Sequence, residues 1–207
     1  GRLDATNVIC PKISVITSIS KDHTDILGES IEEIAMEKAG IIKEKTPVIV
    51  YKQDRKILNI LQKKSTSLNA SMTISEYPTK INYNSSSTKF IYNNNEYHIP
   101  LIGFHQARNA SLAIDVVNAL YPNVKNRTIK KALKKVFWPG RMHRIEHNIF
   151  YDVSHNKNGL EKTLETLKTL YSQKDFHGLL LLKKGKNIES LKGLISKTFK
   201  SLIIPDH

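Results

Sequence analysis

Cysteine is almost absent from this sequence, since Cys10 is the only one among 207 residues. A single cysteine excludes an internal disulfide framework and any cysteine-rich zinc site. It also fits a reducing compartment, so we expect the protein to be cytoplasmic.

Long apolar runs are also absent, because none approaches the ~20 residues needed to span a bilayer. The opening GRLDATN lacks a charged and then apolar leader, so neither a signal peptide nor a membrane partner is expected. Apolar residues make up 40% of the chain, with regular interruptions. This composition indicates a globular protein of one large domain or two small ones.

Acidic residues are missing from one long segment, although the chain carries a formal charge of +13. Between Asp115 and Glu146 there are eight lysines and arginines and no carboxylate. Such a positive segment can attract an anion, such as a nucleotide, a polyacidic small molecule or nucleic acid. Alternatively, its lysines and arginines only keep the protein surface hydrated. No zinc finger, RNP pattern or helix-turn-helix accompanies it, so we expect no nucleic-acid partner.

Strands and helices alternate in the first third of the chain. Buried-type strands are predicted at residues 13–19, 47–51 and 72–77, with helices at 31–39 and 55–64. This order is typical of a parallel sheet, so the predicted fold class is α/β.

After a predicted edge hairpin, helices and strands follow again in the rest of the chain. The hairpin is predicted at residues 89–92 and 96–99, around the turn NNNE. Helices are predicted at 103–120, 127–137, 157–171 and 188–200, and strands at 149–153, 178–182 and 202–204. WPGR stops the basic helix, and we place a domain boundary there, giving domains 1–141 and 142–207.

One lysine stands out in the helix that begins after Ser30. Ser30 and Glu33 form a capping box, and Gly40 is a suitable stop. Lys38 follows Ile31 at i+7 on the apolar stripe. A buried ammonium must be paired, neutralised or modified, unless its stem carries it to water.

Six motifs in register resemble one family. They are GRLDATN, DHTDILG, EKAGIIK, GFHQARNA, PGR and DVSHN, in that order along the chain. The series is similar to the folylpolyglutamate synthase/dihydrofolate synthase family of the Mur ligase superfamily. The resemblance implies that 1–141 is the C-terminal part of a P-loop-type central ATP-binding domain. It implies that 142–207 is an incomplete, Rossmann-like glutamate-ligase domain.

The resemblance implies an ATP-dependent amide ligase. A substrate carboxylate attacks the γ-phosphate of ATP to give an acyl phosphate, and the amine of L-glutamate then displaces phosphate. The acceptor is dihydropteroate or a reduced folate, and Mg²⁺ and cationic side chains neutralise the phosphoryl charge. A monomer is expected, although no residue pattern fixes the oligomeric state.

The same resemblance assigns roles to the metal and pterin side of the site. His23 corresponds to a Mg²⁺ ligand, and Lys38 to a lysine that CO₂ carbamylates into an anion. Leu3, Asp4 and Ala5 match the stretch that contacts the pterin. From local sequence alone, a lone histidine after a strand such as His23 is usually structural or solvent-exposed. RLDATN can likewise be interpreted as a loop with an aspartate turn.

The resemblance also implies a second group of residues, which would bind the nucleotide. Asn109, Arg141 and Asp152 match ATP contacts of the family, to adenine, phosphate and ribose or incoming amine respectively. His155 is expected to face the same cleft as a catalytic residue. The family's D-G-A-H-N has Val153 and Ser154 in its middle here, so the turn loses a glycine.

No G-x-x-x-x-G-K-[ST] occurs in the 207 residues, although phosphate binding in the family requires a P-loop. We therefore expect a fragment truncated at both ends, which alone does not hydrolyse ATP. Three alternatives stay open: a Mur-type ligase with another carboxylate acceptor, a non-catalytic anion-binding module, and a basic nucleic-acid binder.

Overall fold

A computed structural model describes residues 1–19, 30–154, 156–181 and 189–205. A short 3₁₀ helix at Ala5–Val8 precedes the first strand. The strands are β1 Ser14–Ile16, β2 Val48–Tyr51, β3 Met72–Ser75, β4 Thr79–Tyr83, β5 Thr88–Tyr92, β6 Asn95–Ile99, β7 His143–Glu146, β8 Ile149–Tyr151, β9 Phe176–Leu179 and β10 Phe199–Ile203. The helices are α1 Ile31–Ala39, α2 Arg55–Ser67, α3 Phe104–Leu120, α4 Asn126–Leu133, α5 Lys157–Leu170 and α6 Glu189–Ser196.

The first sheet is parallel and buried on both faces. Its strands are ordered β1-β2-β3, and all four residues of β2 are buried. Val48 and Val50 pack with Ile34 of α1 and Leu61 of α2. Ile49 and Tyr51 face the other way and pack with α3. The alternation of β2 therefore places helices on both sides of the sheet, as parallel strands require.

A three-stranded antiparallel sheet, β4-β5-β6, packs on a different face of α3. The predicted hairpin is confirmed, with Asn93 and Asn94 at φ 45° and 58° in its turn. The strand β4 at its edge was not predicted. The Tyr92 hydroxyl of this sheet donates to Asp115 of α3, and burial raises the pKa of Tyr92 to about 12.

The capping box of α1 is confirmed, since the Ser30 hydroxyl accepts from the Glu33 amide and the Glu33 carboxylate accepts from the Ser30 amide. The basic helix is shorter than predicted, because it ends at Leu133 instead of residue 137. Residues 134 and 135 form a turn after its last residue.

The last part of the chain departs further from the predicted boundaries. β8 is the predicted strand at 149–153, but it pairs antiparallel with the unpredicted β7. The strand predicted at 178–182 lies at Phe176–Leu179 and is parallel to β10. The predicted helix at 188–200 ends at Ser196, because Phe199 and Lys200 belong to β10. Local periodicity could not place these ends, since pairing with a distant strand decides them.

Candidate active site

The turn before β7 is held in a backbone conformation that favours glycine. Gly140 has φ +74°, and a Cβ there would lie 2.5 Å from Cγ1 of Val153. Its carbonyl accepts a 2.9 Å hydrogen bond from the Val153 amide. The turn therefore fits closely against the strand end at 152–154 and leaves Arg141 exposed beside it.

Asp152 ties the same two segments together through its carboxylate. One oxygen accepts from the Met142 amide at 2.8 Å, and the other accepts from the Ser154 amide at 2.8 Å. Charge-assisted bonds of this kind are among the stronger ones in proteins. The structure thus brings together Arg141 and Asp152, which the sequence assigned to one nucleotide site from separate motifs.

His105 lies where the start of α3 meets α5. Gly103, at φ +111°, is so close to α5 that a Cβ would lie 2.9 Å from Oγ1 of Thr166. Burial lowers the pKa of His105 to about 4, and the nearby charges of Lys162 and Arg141 lower it further while Asp152 opposes them. The imidazole is therefore neutral at pH 7 and lies within the field of both predicted ATP contacts.

Asn109 follows His105 by one helical turn, so the two side chains share a face of α3. Its Oδ1 accepts a 2.7 Å hydrogen bond from the Tyr51 hydroxyl at the end of β2. Its Nδ2 donates to Oε1 of Gln106 at 3.2 Å. The side chain is exposed, which leaves part of its amide open to a ligand.

Arg108 is the one lysine or arginine of α3. Its guanidinium carbon lies 4.9 Å from the ring centre of Tyr51 and 4.4 Å from that of Tyr77. Its Nε is buried and has no hydrogen-bond partner among the described residues. Burial and the charge of Arg108 lower the pKa of Lys162. Cations of α3, α5 and the Gly140 turn therefore converge, which suits a phosphate-bearing ligand.

Three residues of this group were not assigned from the sequence: His105, Arg108 and Lys162. His105 and Arg108 stand inside the quoted motif GFHQARNA, so the motif itself held a signal. Lys162 lies in an ordinary amphipathic helix, and only the packing of α5 against the start of α3 reveals it.

Two further motifs pack against each other at the N-terminus. The Arg2 guanidinium pairs with the Glu37 carboxylate at 3.1 Å, and the Arg2 amide donates to the Glu37 carbonyl. Asn7 donates to the Gly40 carbonyl at 3.2 Å, and Lys43 donates to the Asn7 carbonyl at 2.7 Å. RLDATN is thus held against EKAGIIK through contacts of Arg2 and Asn7 with Glu37, Gly40 and Lys43.

Leu3, Asp4 and Ala5, the predicted pterin contacts, are all exposed. Asp4 begins the 3₁₀ helix, and its Oδ1 accepts from the Thr6 amide at 2.8 Å and from the Thr6 hydroxyl. These bonds lower the pKa of Asp4. The aspartate turn read from local sequence is therefore present, and among the described residues Oδ2 has no protein partner.

Lys38 lies in the last turn of α1 and is half-buried. The fully buried positions of this helix are Ile34, Ala35 and Ala39. No carboxylate in the described parts of the chain forms an ion pair with Lys38. Its ammonium thus stands at the edge of the apolar stripe, at a helix end where the macrodipole favours a cation.

The expected histidines cannot be placed in this geometry, since His23 and His155 lie outside the described residues. Within the described ranges, no three histidine, cysteine, aspartate or glutamate side chains are grouped closely enough to hold a metal ion. The Mg²⁺ site therefore stays a prediction.

The same geometry can be compared with known proteins. The family model of the Mur ligase middle domain matches residues 1–117, more than half of the chain. The chain belongs to the Mur ligase family. The first part of this Mur ligase contains the parallel sheet, the antiparallel sheet and most of α3, so the match covers the elements that position His105 and Asn109.

The relatives are folate enzymes, as the motifs predicted. The dihydrofolate synthase/folylpolyglutamate synthase of Bacillus subtilis is 33% identical over 187 residues, covering 83% of this chain and 43% of that protein. The Mycobacterium tuberculosis protein of the same name is 30% identical over 227 residues, covering 99% and 46%. The chain thus spans less than half the length of these two relatives.

Solved structures confirm the predicted α/β fold. Mycobacterium tuberculosis folylpolyglutamate synthase complexed with ADP superposes with a TM-score of 0.87 at 29% identity, covering 99% of this chain and 49% of that one. A folylpolyglutamate synthase complexed with AMPPCP and folate gives a TM-score of 0.86 at 24% identity, covering 99% and 53%. Among the described residues, no helix combines the length and apolar composition needed to cross a membrane.

Proposed function

We propose that this chain forms part of a ligase that uses ATP to join L-glutamate to dihydropteroate or to a reduced folate. The observation that carries the proposal is the joint between the Gly140 turn and Asp152. It holds Arg141 beside neutral His105 and half-buried Lys162. The relatives named above are enzymes of this kind, and one of them binds ADP.

Each group has a proposed part in the reaction. Arg141 neutralises phosphate oxygens, and its guanidinium can do so through two parallel hydrogen bonds. Asn109 contacts the adenine ring. Asp152 holds the Gly140 turn and faces the ribose or the incoming amine. His155 is proposed as a catalytic residue, and Leu3, Asp4 and Ala5 as contacts of the pterin.

Mg²⁺ belongs to the proposal through His23 and a carbamylated Lys38. When bound, it would neutralise charge on the transferred phosphoryl group. Lys38 is half-buried and forms no ion pair with a carboxylate of the described residues. After labelling with ¹³C-bicarbonate, we expect a carbamate carbon resonance in the full-length protein that is lost in K38A. An unchanged spectrum in K38A contradicts the modification.

A boundary near residue 142, a monomeric state and a cytoplasmic location complete the proposal. The boundary is supported by the tight turn at Gly140, and the location by the single cysteine. Sedimentation velocity of the full-length protein tests the monomer, and a dimeric species would contradict it.

The deciding experiment uses the full-length gene product. Phosphate release is measured with ATP, Mg²⁺ and L-glutamate, adding dihydropteroate or a reduced folate in separate reactions. Release that requires both glutamate and one pterin acceptor is the expected result and identifies the step performed. If neither pterin acceptor gives glutamate-dependent phosphate release, the folate assignment is contradicted. ATP turnover without a pterin acceptor then favours a ligase for another carboxylate acceptor, whereas no ATP turnover at all favours the anion-binding module.

A further inference from the structure

A chain of hydrogen bonds runs from the end of β2 along the first turn of α3. The Tyr51 hydroxyl bonds to Oδ1 of Asn109 at 2.7 Å, and Nδ2 of Asn109 bonds to Oε1 of Gln106 at 3.2 Å. Nε2 of Gln106 then meets Nε2 of His105 at 3.1 Å. Tyr51 and Gln106 are each 4% exposed, whereas Asn109 is open to solvent.

The buried residues Tyr51 and Gln106 determine which atoms donate and which accept along this series of hydrogen bonds. In the described structure the Tyr51 hydroxyl bonds to Asn109 alone, so its proton must go to Oδ1 or remain unsatisfied. That choice points Nδ2 of Asn109 at Gln106. The amide nitrogen of Gln106 then faces His105, which is neutral and can accept through Nε2.

The Asn109 amide therefore keeps one acceptor position on its oxygen and one donor hydrogen on its nitrogen for a ligand. The oxygen has two lone pairs and gives one to Tyr51, and the nitrogen has two hydrogens and gives one to Gln106. A donor and an acceptor side by side match the N7 and N6 edge of adenine. Guanine presents two acceptors along that edge, so its O6 would face the oxygen of Asn109.

Resting on the proposed use of ATP, we propose that Tyr51 and Gln106 are positioning residues that lock the Asn109 amide and thereby select adenine over guanine nucleotides. Asn109 stands one turn from His105, on the face of α3 that feels the charges of Arg141 and Asp152. A free amide could rotate and offer either edge, whereas the locked one offers a single order of donor and acceptor.

Y51F provides the test, because it removes the hydroxyl and keeps the ring beneath Arg108. Y77F is the matched control. Tyr77 also lies against Arg108, at 4.4 Å, but its hydroxyl donates to the Lys52 carbonyl instead of to Asn109. Q106L is the second variant, since it removes the acceptor for Asn109 Nδ2.

The full-length protein is titrated with ADP and with GDP in a calorimeter. We expect the wild type to bind ADP more tightly than GDP. Y51F and Q106L should each lower the ratio of ADP affinity to GDP affinity by about tenfold, mainly through weaker ADP binding. Y77F should keep the wild-type ratio. Partial unfolding lowers both affinities equally, so a variant that merely folds poorly does not change the ratio.

Three results would overturn the inference: an unchanged ratio in Y51F, an equal narrowing in Y77F, or a wild type without preference for ADP. Selective ADP binding by a protein that shows no glutamate-dependent phosphate release would instead refute the proposed reaction and leave the selection of adenine standing. The two proposals can therefore fail separately.

Discussion

His105 owes its chemistry to its surroundings more than to its sequence position. An exposed histidine is half-protonated near pH 6.5, whereas burial beside Lys162 lowers the pKa of His105 to about 4. The neutral imidazole can then accept a hydrogen bond from Gln106, near the side chains of Arg141 and Lys162. A protonated ring would add a further positive charge beside Arg108, Arg141 and Lys162.

The depressed pKa of His105 makes stability depend on pH. His105 binds its proton near pH 6.5 in the unfolded chain but only near pH 4 in the folded chain. The contribution of neutral His105 to the free energy of unfolding is therefore fully present above pH 6.5. It is lost as pH falls from 6.5 through 4, by at most about 1.4 kcal/mol per pH unit. Urea unfolding of the full-length protein at several pH values should show this loss.

H105Q should reduce the loss, because glutamine does not titrate. H147Q serves as the control, since it removes an exposed histidine instead. Parallel pH curves for wild type and H105Q would contradict the assigned role of burial.

At the scale of elements, α3 and the Gly140 turn organise the site. α3 packs on the parallel sheet through Leu112 and on the antiparallel sheet through Ala107 and Ile114. Its first turn, held between these layers, carries His105 to the edge of α5. The Gly140 turn reaches the same place because Val153 and Asp152 bind its backbone.

G140A should disturb this turn. Alanine is strained at φ +74°, and its Cβ would lie 2.5 Å from Val153, so we expect a loss of about 1–3 kcal/mol in unfolding free energy. Weaker ADP binding should accompany it, because Arg141 shifts with the turn. Thermal unfolding and calorimetric titration of the full-length protein measure both effects.

G193A is the matched control for G140A. Gly193 lies within α6, and a Cβ there meets nothing within 4 Å. Alanine favours helix over glycine by about 1 kcal/mol, so this variant should be equal to wild type or slightly more stable. Equal behaviour of the two variants would argue against a strained turn.

At the scale of the whole molecule, the described structure contains a three-stranded parallel sheet between helices, a three-stranded antiparallel sheet and two two-stranded sheets. The chain covers 43% of the Bacillus subtilis relative and 49% of the Mycobacterium tuberculosis structure. None of its 207 residues forms a P-loop motif. The cations around His105 can attract a nucleotide, but backbone amides of a P-loop must cradle its phosphates.

The 207-residue chain by itself should therefore release no phosphate from ATP. The full-length product, assayed with the same acceptors and at the same concentration, is the control. Turnover by the 207 residues alone would show that another phosphate cradle exists within them.

Particular residues show how far sequence reasoning reached. Ser30 and Glu33 predicted the start of α1 correctly, because a capping box is complete within four residues. Asn93 and Asn94 predicted the hairpin turn for the same reason. The ends at Leu133 and Ser196 were placed too late, since charged and apolar periodicity continues where the helix does not.

The candidate site divides in the same way. Arg141 and Asp152 were assigned from motifs, and the structure places them together, although their roles toward a ligand remain proposals. Lys162 was missed because no local pattern separates it from other lysines. His23 and His155 lie outside the described residues, so their assignments stay predictions.

The sequence by itself determined the α/β class, the buried strand β2 and the family, because local periodicity and ordered motifs lie in consecutive residues. Only the tertiary structure decided that α3 meets α5, that His105 is neutral, and that Tyr51 orients Asn109. Burial and hydrogen-bond partners depend on residues that are far apart in the chain, such as Tyr51 and Asn109, and no local pattern specifies which distant residues will meet.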